Sequence, residues 1–158
     1  NFTNKAVPTT HPQTTLAKQL SEYILLYSPW QMAADMIENY ENQPALSFIE
    51  SVPADWEKTL VLNAEIGKYL TIARKDKASD NWFIGSATDA EARNLTIDLE
   101  FLDEGREYMA EIYADGEGAD YSTNPYPISY NRVKVTKSSQ LTLKLAPSGG
   151  AAIRIKAL

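Results

Sequence analysis

The clearest pattern of apolar and polar positions lies near the start of the chain. Leu16, Leu20, Tyr23, Ile24 and Tyr27 recur at helical spacing on one face, with Lys18, Ser21 and Glu22 on another. Thr14 and Thr15 offer a helix start, and Pro29 limits the helix at its far end. Between Tyr23 and Tyr27 the run is apolar on every side, so the helix must pack into something large. The texture of the chain behind it does not show what that is. A second helix is expected from Pro44 to Ser51, with Leu46, Ile49 and Val52 apolar and Pro53 closing it.

From Glu57 onward the period changes from helical to alternating. Residues 60–63, 69–74, 82–85, 95–99, 108–113, 128–135, 141–145 and 153–155 read as short strands. Turn-forming clusters separate them at 75–80, 103–105, 137–139 and 147–150. Strands at these spacings make an antiparallel β-sandwich. Val133, Val135, Leu141, Leu143 and Leu145 would supply one inner face, and Arg132, Lys134, Thr142 and Lys144 would point outward. The break in texture puts a domain boundary at Ala54 and Asp55, with Trp56 packing the junction.

Composition narrows the function classes. The chain has 158 residues, enough for one domain or a small pair, with 44% hydrophobic and 23% charged residues, ordinary for a folded protein. A net charge of −6 without a basic stripe argues against nucleic acid. The absence of cysteine excludes disulfides, thiolate metal sites and a cysteine nucleophile. No apolar run approaches a membrane span, and no signal peptide opens the sequence, which fits a fragment or mature numbering.

Candidate chemistry is sparse. His11, the only histidine, stands before Pro12 without visible partners and reads as a solvated loop residue. The connection at 115–127 carries spaced acids, which invites a calcium reading, but the spacing does not match an EF-hand loop. A glycine-rich hairpin loop is the better reading. Tyr121 and Tyr126 in that loop are candidates for stacking on a sugar ring. Phosphate loops, dinucleotide fingerprints, zinc-binding histidine pairs and nucleophile elbows are missing from the sequence.

The run TTLAKQLSEYILLYSPWQMAAD, then Asn39-Tyr40-Glu41 and Phe48-Ile49-Glu50-Ser51-Val52-Pro53, resembles the late barrel of glycoside hydrolase family 97. The resemblance continues through Trp56, GKYLTIARK from Gly67, Asp80-Asn81-Trp82-Phe83-Ile84-Gly85, Ala110-Glu111-Ile112-Tyr113-Ala114-Asp115-Gly116, and Leu145 to Arg154. It implies a bacterial α-glucosidase or α-galactosidase, periplasmic or secreted, acting on α-linked oligosaccharides. It also implies that the paired catalytic carboxyls and any calcium ligands lie upstream, so that no cofactor is held here and this stretch alone is inactive.

The resemblance changes one local assignment. Ser28-Pro29-Trp30-Gln31 has the form of a capping box, which alone would make 29–38 a helix. The family pattern instead makes residues 30–34 the last buried barrel strand, with Asp35 at its carboxyl end, where such barrels place their sites. Asp35 is therefore the substrate-side candidate, although a helix-capping role is the plainer reading, and glycoside hydrolysis needs two carboxyls.

The expectation is thus a mixed fold. Residues 1–54 form the terminal helix–strand–helix of a (β/α)8 barrel, and residues 55–158 form a β-sandwich bracing it. The competing class is a non-catalytic sugar-binding or adhesion module. Glucoside or galactoside specificity, and inversion or retention, stay open.

Overall fold

The computed structural model describes residues 12–33 and 35–158, so His11 lies outside the described residues. Three helices come first: α1 (Leu16–Leu25), α2 (Ile37–Tyr40) and α3 (Pro44–Ser51). Eight strands follow: β1 (Trp56–Glu65), β2 (Tyr69–Asp76), β3 (Trp82–Thr88), β4 (Arg93–Asp98), β5 (Tyr108–Asp115), β6 (Ile128–Val135), β7 (Gln140–Leu145) and β8 (Gly150–Ala157). They form a six-stranded sheet in the order β1-β2-β3-β8-β5-β6 and a two-stranded sheet of β4 and β7, with every pairing antiparallel. The expected sandwich is present.

The two sheets bury alternate residues between them. Leu95 and Ile97 on β4 pair with Leu143 and Leu141 on β7 and face inward, while Thr96 and Thr142 face out. Opposite them lie Ala73, Trp82, Ile84, Tyr108, Ala110, Ile153 and Ile155. Val135 is buried, whereas Val133, expected on the same inner face, is 40% exposed on β6, the edge strand of the large sheet.

The helices cover the other face of the large sheet. α1 begins with Thr15, whose hydroxyl accepts from the Lys18 amide at 3.2 Å. It buries Leu16, Ala17, Leu20, Ser21 and Ile24 against β3, β8, β5 and β2. The large partner that the sequence left open is therefore the sandwich itself. α3 adds Phe48, which packs on Phe83 and Tyr113 at ring separations of 6.3 and 5.3 Å. Trp56 meets Phe83 at 5.6 Å at the junction.

Small residues let α1 lie close to the sheet. A Cβ on Gly85 would stand 2.7 Å from the Ser21 carbonyl oxygen, and one on Gly150 would stand 2.6 Å from the Lys18 Cα. Because β3 and β8 are covered on both faces, they read as continuous buried runs, unlike the alternating β4 and β7.

Two buried charges, Arg74 and Glu111, and the half-buried Asp115 fasten the layers. Arg74 Nε donates to the Ile24 carbonyl at 2.7 Å, at the carboxyl end of α1, with its guanidinium near the Tyr27 and Trp56 rings. Asp115 Oδ2 accepts from the Ala146 and Gly150 amides at 2.8 and 3.0 Å, tying β5 to the β7–β8 turn. Burial raises its carboxyl above the usual range, while Thr15 and the two amides pull the other way. Glu111 accepts from Arg154 Nε at 2.7 Å and lies within 3.4 Å of Lys156 and 3.7 Å of Arg132. Arg154 also reaches the Ser47 carbonyl at 3.3 Å, linking the cluster to α3.

The close helix approach predicts that Gly85→Ala and Gly150→Ala each lower unfolding stability by about 1–3 kcal/mol, read from urea melts. Wild-type stability after either change would place α1 off the sheet. Burial tends to raise the Glu111 carboxyl, but Arg154 and Lys156 outweigh it, so its folded value lies below the ordinary one. The stability it supplies is therefore full above the ordinary glutamate range and is lost as pH falls below that range through the lowered folded value. Glu111→Gln should cost about 3 kcal/mol at pH 7 and flatten the acid limb of the stability–pH curve. An acid limb unchanged in the variant would remove Glu111 from this role.

Candidate functional site

Asp35 sits where the sequence expected a strand to end, but the structure gives residues 30–33 no strand. Ser28 Oγ instead accepts from the Trp30 amide at 3.2 Å in a tight turn. Gln31 Nε2 reaches the Tyr23 and Leu26 carbonyls at 3.3 and 3.4 Å, at the open end of α1. The capping-box form is thus used backward, onto the preceding helix. The expectation of a buried strand also fails on exposure, since Trp30 is 79% and Met32 73% exposed. Asp35 Oδ1 accepts from the Met36 amide at 2.8 Å and from Asn39 Nδ2 at 2.7 Å. Both donors belong to the entry into α2, which is the geometry of a helix-start residue.

Tyr121 and Tyr126 are both half-buried in the 115–127 connection. Tyr126 packs against the cluster under α1 and α3, so one of its faces is already occupied. The loop is organised by Asp120, whose Oδ1 accepts from the amides and hydroxyls of Ser122 and Thr123 at 2.7–3.0 Å. These donors, led by the Ser122 hydroxyl, lower its carboxyl to about 2. Among the described residues no three acidic or histidine side chains are grouped to hold a metal ion. Asp120 Oδ1 is thus committed to its own turn.

Two surfaces lie outside the candidate site residues named from the sequence. A ridge of exposed apolar side chains runs through Leu26, Tyr27, Trp30, Met32 and Met36. Beside it is a groove of about 300 Å³ whose lining includes Leu20, Glu22, Tyr23, Leu26, Met32 and Tyr40. Tyr23 Oη donates to the Met32 carbonyl at 3.2 Å, which joins ridge and groove. Glu22 falls on the polar face of an amphipathic helix, and in sequence that face looks like ordinary solvated surface. A second, open groove of about 1040 Å³ lies at one end of the sandwich, with Asp98, Glu100, Glu104 and Glu107 alongside Arg106 and Lys137. Its rim charges are paired at the surface, Lys137 with Glu104 at 3.3 Å and Lys134 with Glu107 at 3.2 Å. Neither surface presents an assembled acid–base pair.

Known proteins share this arrangement. The family model described as "Glycosyl-hydrolase 97 C-terminal, oligomerisation" matches residues 55–156. A retaining alpha-galactosidase of Bacteroides thetaiotaomicron is 34% identical over 150 residues, covering 91% of this chain and 21% of that protein. A glycoside hydrolase family 97 enzyme from Pseudoalteromonas sp. strain K8, solved with acarbose, is 48% identical with a TM-score of 0.90, covering 94% of this chain and 23% of its own. A beta-arabinopyranosidase structure is 26% identical with a TM-score of 0.74, over 92% of this chain and 22% of its own. The chain thus spans between a fifth and a quarter of the length of these relatives. With the family model matching well over half its length, the chain belongs to the family 97 glycoside hydrolases and carries their C-terminal domain.

Proposed function

We propose that this stretch is the bracing C-terminal part of a glycoside hydrolase that acts on α-glucosides or α-galactosides. In this reading residues 1–54 are the tail of the catalytic (β/α)8 barrel, and residues 55–158 are the sandwich that supports it. The observation that carries the reading is the position of α1. Its buried side is seated on the sandwich through Gly85 and Gly150, while the segment after it turns apolar side chains outward. Such an element can transmit the rigidity of the sandwich to a neighbouring domain. The similarity to the Pseudoalteromonas enzyme supports this, because it covers 94% of this chain and so extends to residues before 55.

The chemistry belongs to the remainder of the enzyme. Hydrolysis of a glycosidic bond needs one carboxyl to protonate the leaving oxygen and a second to act as base or nucleophile across the bond. Asp35 is committed to the entry of α2, and the buried Glu111 and half-buried Asp115 are held by structural donors. Calcium assistance, if the parent enzyme uses it, is assigned to ligands outside this chain. The family model's description also names oligomerisation, and we include the joining of enzyme copies among the duties of the sandwich. A sugar-binding module is the weaker reading. Trp82 is buried, Trp56, Tyr121 and Tyr126 are half-buried, and Trp30 alone of the three tryptophans is exposed.

The chain of 158 residues should show no turnover of aryl α-glucosides or α-galactosides, while the longer enzyme containing it turns over at least one. Turnover by the short chain, with its mass verified, would overturn the assignment. In the longer enzyme, Asp35→Asn should leave kcat within about twofold. A loss of about a hundredfold or more would make Asp35 a reacting carboxyl.

A further inference from the structure

We propose that the helix-side face of the large sheet, where β5, β6 and β8 lie beside α3, binds an acidic sugar, its carboxylate held by Arg132 and Lys156 and its ring resting on Tyr130. The proposal rests on reading the chain as part of an enzyme of oligosaccharides, and it adds to that reading a second, non-catalytic hold on a glycan.

Strand register assembles the site. Tyr130 and Arg132 on β6 stand opposite Tyr113 and Glu111 on β5, and Glu111 in turn stands opposite Arg154 on β8. One step further along the same face, Lys134 and Lys156 flank Met109. Alternate residues of a strand share a face about 7 Å apart, and adjacent strands lie about 5 Å apart, so one short oligosaccharide spans the ring and the cations. α3 closes over Tyr113 through Phe48 and Ser47. Next to it Tyr130, Arg132 and Lys134 are exposed.

The balance of charge on this face calls for an anion. Glu111 forms its floor, and Arg154 grips one carboxylate oxygen with Nε at 2.7 Å and Nη2 at 2.5 Å. The other oxygen has Lys156 Nζ at 3.4 Å and Arg132 Nε at 3.7 Å, the latter beyond hydrogen-bond length. One carboxylate thus faces three cations, and the Arg132 and Lys156 side chains are 57% and 41% exposed. Lys134 is paired separately with Glu107. In a chain of net charge −6 this is a local excess of positive charge with N–H donors to spare. A carboxylate brought from outside fills that place by charge-assisted hydrogen bonds.

Tyr130 makes the anion a sugar. Its ring is 44% exposed and leans on Tyr113 with centroids 4.9 Å apart, so it is held in place before a ligand arrives. An aromatic ring fixed in this way offers an apolar body for the C–H side of a sugar ring, with the phenol left for its hydroxyls. Arg132, two residues along the same face, lies where a carboxylate carried on that sugar falls. The Arg154 grip on Glu111 shows the same chemistry already in use one strand away. An acidic peptide would match the charge and leave the ring without a role. A hold of this kind raises the concentration of a glycan near the catalytic part of the enzyme.

Calorimetric titration of the full-length enzyme tests the proposal, with oligogalacturonate as the probe and malto-oligosaccharide and polyglutamate as comparisons. Arg132→Ala and Lys156→Ala should each weaken oligogalacturonate binding about tenfold, and Tyr130→Ala about threefold or more, with Arg132→Lys in between. Binding should also weaken as salt is added. Malto-oligosaccharide binding should be indifferent to Arg132→Ala. All four variants should keep the wild-type melting temperature, which separates a lost ligand from a lost fold. Absence of oligogalacturonate binding, or binding that survives both Arg132→Ala and Tyr130→Ala, would overturn the proposal. Equal affinity for polyglutamate, untouched by Tyr130→Ala, would overturn it in favour of an acidic protein partner. Turnover of aryl α-glycosides by the same preparation reports on the enzyme reading alone: its loss with oligogalacturonate binding intact would sink that reading and leave this site standing.

Discussion

The close approach of α1 to the large sheet is the constraint on which the rest depends. Gly85 and Gly150 have no Cβ to hold the helix away, and Ala152 lies between them in the same layer. The helix can therefore settle low enough to bury Leu20 and Ile24 completely. At that height the Leu16 amide reaches the Pro125 carbonyl at 2.9 Å, and the Thr15 amide reaches the Ser148 carbonyl at 3.2 Å. Two loops distant in sequence are thereby fixed by the start of one helix. α3 then has a defined ledge, where the Ser47 hydroxyl meets the Tyr113 phenol at 3.2 Å.

Buried charge does in this protein what a larger apolar core does elsewhere. Arg74, Glu111 and Asp115 each join the helical layer or its loops to a strand. Ion pairs in such places give little net stability over well-packed hydrocarbon, because both partners lose water. Their value is directional. An apolar contact tolerates sliding, whereas a guanidinium on one carbonyl oxygen fixes the position of a helix end along the sheet.

Much of the sandwich was legible because one face of its strands is wet. β4 and β7 alternate as the sequence does, and α3 is bracketed by Pro44 and Pro53 as its composition implies. β1 was legible only in its middle, since its burial is irregular and its pairing with β2 shifts at two places. The assignment of residues 30–34 failed for a physical reason. Trp30, Met32 and Ala33 have the apolar character of a buried strand, yet they are exposed, and apolarity reports the need for cover without saying which molecule supplies it. The candidate site was harder to read. Asp35 attracted notice as a carboxylate after an apolar run, and only the fold shows its Oδ1 taken up by the Met36 amide and the Asn39 side chain.

The two margins of the large sheet carry a consequence for how such enzymes could associate. β6 presents Arg132 and Lys134 along one margin, and β1 presents Glu57 and Lys58 together with its register shifts along the other. Charged side chains and local kinks are how sheets refuse an additional strand. Extension of the large sheet by a strand from another copy is therefore disfavoured at both margins. Contact along these margins falls to side chains, which keeps recognition there dependent on sequence and makes the large sheet's backbone a poor nonspecific adhesive.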